Sequence, residues 1–213
     1  MNLRPRPRLV IFDLDGLLAG EQRQQRIEIL AGVVGLAPAR IAAALSANGL
    51  RARSERGELG LEDYLDALRR RHGLDIPAEA FIDAHRQSLH LHHEVLVLAQ
   101  ALAAQTTLAL FANGEAWLGR HLPKFLPELR PLFGTRMLVS AQIGLAKPDP
   151  QAFYACLATL GFSAASALMI DDDAENTVGA RSAGLDAIHY VSPSQLAAEL
   201  RQRGFDLEPV HAP

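Results

Sequence analysis

Leu9-Val10-Ile11-Phe12-Asp13-Leu14-Asp15-Gly16 is an apolar run that ends on two carboxylates and a glycine. Its four apolar residues do not alternate with polar ones, as expected of a strand covered on both faces in a parallel sheet. Four further β-like runs follow, at 107–112, 137–140, 167–170 and 187–191. Helical periodicity separates them, near 93–104, 150–160, 174–183 and 194–203. Strands alternating with helices predict an α/β fold, a doubly wound parallel sheet of Rossmann-like form.

The alternation breaks once. After Gly16 roughly seventy residues show helical periodicity and no convincing strand, punctuated by Gly35, Pro38, Gly49, Gly57, Gly60, Gly73 and Pro77. Helices are expected near 21–34, 38–47, 61–71 and 77–89. The organisation predicted is a core of residues 1–18 and 90–213 with a helical cap, 19–89, inserted after the first strand. That also explains a length of 213 residues, too long for one ordinary domain and too short for two.

Composition narrows the partners. A net charge of −3 offers no basic surface for nucleic acid or an anionic membrane, so a small-molecule ligand is expected. Cys156 is the only cysteine, which excludes an intrachain disulfide framework and cysteine-rich metal sites, and it reads as a small buried residue. The Arg-Pro tail before Leu9 reads as a frayed end. The apolar run after it is too short for a signal-peptide core, and no stretch approaches a membrane span. A cytoplasmic enzyme, monomeric or weakly dimeric, is the expectation. Of the 21 basic residues 19 are Arg, leaving Lys124 and Lys147 as the only lysines. Where Arg is the default cation, a retained lysine marks chemistry that needs a compact ammonium.

Ligands of open α/β sheets bind beyond the carboxyl ends of the strands. The first strand delivers Asp13 and Asp15, the second Ala112-Asn113-Gly114, and the fourth Asp171-Asp172-Asp173; Lys147 follows the third, ahead of Pro148-Asp149-Pro150. Each piece alone is ordinary turn or helix-entry chemistry. In order, at strand ends, they make one acidic rim. Gly16 stands at the fourth place of a loop opening on Asp13, where a calcium loop needs glycine at the sixth. No P-loop, dinucleotide or serine-hydrolase signature occurs. Asp13, Asp171 and Asp172 offer hard oxygen ligands suited to Mg²⁺ and a substrate phosphate. Asp13 can attack phosphorus, and Asp15 can serve as acid to the leaving oxygen and then as base to water. Lys147 neutralises phosphoryl charge, and the backbone amides of Asn113 and Gly114 add donors.

These residues resemble the four motifs of the haloacid dehalogenase superfamily of the helical-cap type. Ile11-Phe12-Asp13-Leu14-Asp15-Gly16 matches the first, Asn113-Gly114 the second, Lys147-Pro148 the third, and Ile170-Asp171-Asp172 with Asn176 the fourth. The resemblance implies an Mg²⁺-dependent phosphomonoester phosphatase acting through an aspartyl-phosphate. Asp13 would be nucleophile and Asp15 acid/base, with Mg²⁺ on Asp13, the Asp15 carbonyl and Asp172, and Asp171 as a further ligand or an anchor. Glu55-Arg56-Gly57-Glu58-Leu59 is similar to bacterial members acting on sugar phosphates. Dehalogenases lack the second acid and the metal, and a phosphonate hydrolase needs a cap lysine absent between Asp15 and Lys124. A phosphomutase shares the core and stays open.

Two positions depart from that pattern. Ala112 stands where the second motif opens with Ser or Thr, and Asp173 where the fourth often has Ser or Asn. Losing one hydrogen bond to a charged group costs about 1.5–3 kcal/mol, roughly ten- to a hundredfold in rate. A catalytically weak protein that binds a phosphorylated ligand is therefore the alternative. Asp173 reads as the N-cap of the helix from Ala174. His90, His92 and His93 read as a solvated hinge. Arg53, Arg56 and 69–71 read as a solvated face, with substrate reading by one of these or by His85 as the alternative. Trp117, Tyr64 and Phe81 are expected to pack apolar helix faces.

Overall fold

A computed structural model describes residues 6–46 and 49–207. Residues 1–5 of the Arg-Pro tail, and Ala47 at the end of the second helix expected in the cap, lie outside them. In chain order the elements are β1 (Leu9–Phe12), β2 (Ala19–Glu21), α1 (Arg23–Val34), α2 (Pro38–Ser46), α3 (Leu50–Glu55), α4 (Leu61–His72), α5 (Ala78–Ser88) and β3 (Leu89–Leu91). There follow α6 (His93–Ala103), β4 (Thr107–Ala112), α7 (Ala116–Phe125), α8 (Arg130–Phe133), β5 (Met137–Val139) and α9 (Ser140–Ile143). The last are α10 (Pro150–Leu160), β6 (Ala167–Asp171), α11 (Ala174–Ser182), β7 (Asp186–His189) and α12 (Pro193–Gln202).

The expected sheet is present: five parallel strands in the order β5-β4-β1-β6-β7. The unbroken apolar runs are divided between its two faces. Val10, Phe12, Leu108, Leu110, Leu168 and Ile170 enter one core, while Leu9, Ile11, Ala109, Phe111, Ala167 and Met169 enter the other. A strand with helices on both sides has no face to leave polar, which is why alternation is missing. β1 lies between β4 and β6, so the chain winds to both sides of it and the switch point opens at its carboxyl end.

Several boundaries differ from the sequence reading. The run at 137–140 ends at Val139, because Ser140 begins α9, and that at 187–191 is replaced by β7. The segment 19–89 is not free of strand: β2 and β3 pair antiparallel, Ala19 opposite Leu91 and Glu21 opposite Leu89. Three residues are too few to show a period of two. A Cβ on Gly20 would fall 2.6 Å from the His90 ring, so glycine lets that ring lie on the ribbon. His92 is no solvated hinge residue, since its Nδ1 lies 2.9 Å from the Leu17 carbonyl oxygen. α3 and α7 are additions, α3 being only six residues long and α7 carrying Gly119 and Pro123.

The described residues between 23 and 88 hold five helices, and their core is continuous with that of the sheet. Ile27, Leu30, Ile41, Leu68 and Phe81 belong to the same apolar cluster as Leu14, Leu17, Leu18 and Leu118. Phe81 meets Trp117 edge-on at 5.8 Å and Tyr64 at 5.6 Å, so these aromatics pack as expected. Among the described residues no single helix is long and apolar enough to cross a membrane.

Candidate active site

Asp13 is the first residue past β1, and its N–H still donates to the Ile170 carbonyl at 2.9 Å. The pairing with β6 therefore fixes where the carboxylate stands. The chain then turns sharply through Gly16, whose φ of +74° suits glycine, and Ala19 N–H returns to the Leu14 carbonyl at 2.9 Å. Leu14, Leu17 and Leu18 are fully buried and anchor this turn.

Lys147 Nζ donates to Asp13 Oδ1 at 2.8 Å and to Asp171 Oδ2 at 2.6 Å, all three residues being buried. Burial opposes its charge, but the two carboxylates more than offset that, and the Lys147 pKa is raised. A buried ammonium is tolerated because it is paired. Asn113 sets the lysine backbone from both sides: its Nδ2 donates to the Lys147 carbonyl at 2.8 Å and its Oδ1 accepts from the Lys147 N–H at 2.9 Å. The Asn113 side chain thus positions the cation. Asp171 is heavily used, since its Oδ1 also accepts from Asp173 N–H at 3.0 Å and Asn176 Nδ2 at 2.9 Å. Asp173 caps α11 as expected, accepting from Glu175 N–H at 2.8 Å.

Asp13, Asp171 and Asp172 offer carboxylate oxygens that all lie within 4.8 Å of one another. Carboxylate oxygens of this kind suit a hard divalent cation. A Cβ on Gly16 would stand 1.9 Å from Asp172 Oδ2, so only glycine leaves that carboxylate its place. Burial pushes the Asp13 carboxyl up to about 7, against the pull of the Lys147 ammonium. Burial and the Asp171 charge raise Asp172 as well. A cation would relieve the repulsion that raises both.

Asp15 stands apart from this cluster and lines a cavity of about 60 Å³ between the insert and the sheet. Burial raises its pKa, opposed by His85 and Arg51 and reinforced by Glu21 and Glu115, which suits a carboxyl that gives and takes a proton. His85 is buried, with Nδ1 3.2 Å from Glu21 Oε1, and Arg26 Nη1 donates to the same oxygen at 2.8 Å. Burial works to raise Glu21, yet these partners prevail and lower it to about 2. Nδ1 therefore faces an ionised carboxylate.

Gly114 N–H, one of the two backbone donors expected for a phosphate, is already committed to Ser140 Oγ at 3.0 Å. That hydroxyl donates in turn to the Glu55 carbonyl at 2.6 Å, tying the loop after β4 to α3 of the insert. Ala112 is buried within the apolar cluster. Sequence reading passed over Ser140, Glu21, Arg26 and Glu115. Ser140 follows a strand end directly, and that position was its only signal.

A family model described as haloacid dehalogenase-like hydrolase matches residues 7–184. A phosphoserine phosphatase of Thermus thermophilus is 32% identical over 112 residues, 52% of this chain and 44% of the relative. A phosphatase of Mycobacterium tuberculosis is 49% identical over 51 residues, 24% of each chain. The matches thus span less than half the length of these curated relatives. Among solved structures, a HAD-like family hydrolase of Porphyromonas gingivalis superposes with a TM-score of 0.71 at 25% identity, covering 86% of this chain and 90% of the other. A HAD family enzyme of Bacteroides thetaiotaomicron, in complex with magnesium and inorganic phosphate, gives 0.71 at 19% identity, covering 85% and 93%.

Proposed function

The chain belongs to the haloacid dehalogenase-like hydrolases, and from that premise we propose that it is an Mg²⁺-dependent phosphomonoester phosphatase acting on a small phosphorylated metabolite. One observation carries the reading: Asp13, at the end of the central strand, is held 2.8 Å from the buried Lys147 ammonium beside Asp171 and Asp172. An Asp13 oxygen attacks phosphorus and forms the aspartyl-phosphate as the bond from phosphorus to the leaving oxygen breaks. Asp15 gives its proton to that oxygen, then takes one from the water that attacks phosphorus and frees Asp13. Lys147 neutralises charge on the phosphoryl oxygens throughout.

Asp13, Asp172 and the Asp15 carbonyl would hold Mg²⁺, which supplies charge neutralisation for the phosphoryl group. Asp171, whose oxygens already serve Lys147, Asn176 and Asp173, acts better as an anchor than as a ligand. Segment 19–89 acts as the cap over the reaction. The reading carries a cytoplasmic enzyme, monomeric or weakly dimeric, with no nucleic-acid or membrane partner. The likeness at 55–59 favours sugar phosphates, and the name of the Thermus relative adds phosphoserine to the panel. Phosphate release from such a panel should need Mg²⁺ and fall to background in Asp13→Asn. Wild-type turnover in that variant rules Asp13 out as the nucleophile.

A further inference from the structure

Glu55 is the last residue of α3, and a helix leaves its final carbonyls without partners inside it. Three of those of α3 are met locally: Arg56 N–H reaches the Ala52 carbonyl, Gly57 N–H that of Ser54 at 3.0 Å, and Glu58 N–H that of Arg53 at 2.9 Å. The carbonyl of Glu55 is met from the side of the sheet. Ser140 Oγ donates to its oxygen at 2.6 Å, across 85 residues of sequence.

Ser140 begins α9, yet its hydroxyl serves two other segments. It has one proton, and of the two carbonyl oxygens near it Glu55 lies at 2.6 Å and Gly114 at 3.3 Å, so the proton goes to Glu55. Its oxygen accepts from Gly114 N–H at 3.0 Å, and Ala141 N–H donates to the Gly114 carbonyl at 3.2 Å. Ser140 is fully buried, so removing its hydroxyl would leave polar groups bare away from water. The turn after α3 comes just as near: a Cβ on Gly57, whose φ is +72°, would fall 2.6 Å from the Ala141 carbonyl oxygen. One polar and one steric contact thus seat the end of α3 on the start of α9.

Both arms of the hydroxyl lead to the proposed reaction site. On one, Gly114 follows Asn113, which holds the Lys147 backbone and so the ammonium on Asp13. On the other, α3 brings Arg51 to the wall of the cavity that Asp15 lines. Resting on the phosphatase reading, we infer that Ser140 is a positioning residue: its buried hydroxyl locks α3 of the insert onto the loop after β4, so that the groups beside Asp13 and Asp15 are aligned together.

Ser140→Ala removes both bonds, while Gly57→Ala keeps the hydroxyl and drives the turn off Ala141. With Mg²⁺ and the best ester, each should lower kcat about ten- to a hundredfold and leave KM within about threefold of wild type. The double variant should lie within about threefold of the slower single one, because both break the same docking. Ser140→Thr, which retains the hydroxyl, should recover most of the loss. Amide hydrogen exchange, read with no ester present, should quicken in Ser140→Ala at residues 50–58 and 113–116 together. Wild-type kcat in Ser140→Ala overturns the inference. So do losses that multiply in the double variant, or exchange that quickens at 113–116 alone, since Ser140 then props only its own neighbours. Should Ser140→Ala not fold, Gly57→Ala decides: unchanged kcat with unchanged exchange at 113–116 overturns the inference. No phosphate release by the wild-type protein sinks the phosphatase reading instead, and exchange then decides the docking by itself.

Discussion

Lys147 is one of two lysines in a chain that otherwise uses arginine, and it sits buried between two carboxylates. Its Nζ touches two carboxylates on adjacent strands, and it is 4% exposed. Its neighbour across the rim, Ala112, stands in the place of the hydroxyl expected from the second motif. If the proposed reaction lacks one hydrogen bond to the phosphoryl group there, Ala112→Ser should raise kcat by about ten- to a hundredfold. Steady-state kinetics on the best ester checks this, and an unchanged kcat means that another donor fills the role. Cys156 completes this scale: it is fully buried, and burial pushes its thiol up to about 12 despite the nearby Lys147. A thiol reagent should leave it unmodified in the native protein and label it in denaturant.

Among the elements, α11 bears most directly on the site, because Asp173 caps it and Asn176 on it holds Asp171. It can approach the Lys147-Pro148 segment only through Gly179. A Cβ there would lie 2.0 Å from the Pro148 carbonyl oxygen and 3.1 Å from Phe153. Gly179→Ala gains helix propensity but forces backbone apart, and overpacking of this kind costs about 1–3 kcal/mol. Its urea midpoint should fall together with turnover, while Val178→Ala, at a residue 59% exposed, should leave the midpoint near wild type. A Gly179→Ala protein as stable and active as wild type would show that this approach is not required.

At the scale of the whole molecule, the insert and the sheet share one apolar cluster, yet the cavity between them holds only about 60 Å³. Ligand pockets usually run to roughly 300–1,000 Å³, so this cavity is smaller than an ordinary ligand pocket. Glu21 ties the ribbon at the insert's base to α1 and α5 through Arg26 and His85. Its pKa falls from 4.5 to about 2, as these partners outweigh burial. A carboxylate lowered on folding stabilises fully above its unfolded value, and that stability is lost as pH falls through the folded one. Up to about 3 kcal/mol should therefore disappear between pH 4.5 and 2. Glu21→Gln should unfold at a lower temperature at neutral pH and lose less than wild type across that window. Parallel melting curves for the two proteins would refute it.

The parallel sheet, the interruption after β1 and the acidic rim were legible in the chain, because buried strands leave unbroken apolar runs and strand ends carry the polar residues that follow them. Asp13, Lys147 and Asp171 could be listed from Leu9-Val10-Ile11-Phe12 and its counterparts. Their ion pairs join positions up to 134 residues apart, which no local pattern encodes. The same limit hid β2 and β3, each too short for a period, and Ser140, whose hydroxyl joins Gly114 to Glu55. It also hid the commitment of the Asn113 side chain to the lysine backbone. Which charges around the cavity are paired depends on packing between the insert and the sheet. Packing acts between residues distant in sequence, so it appears only when the chain is folded.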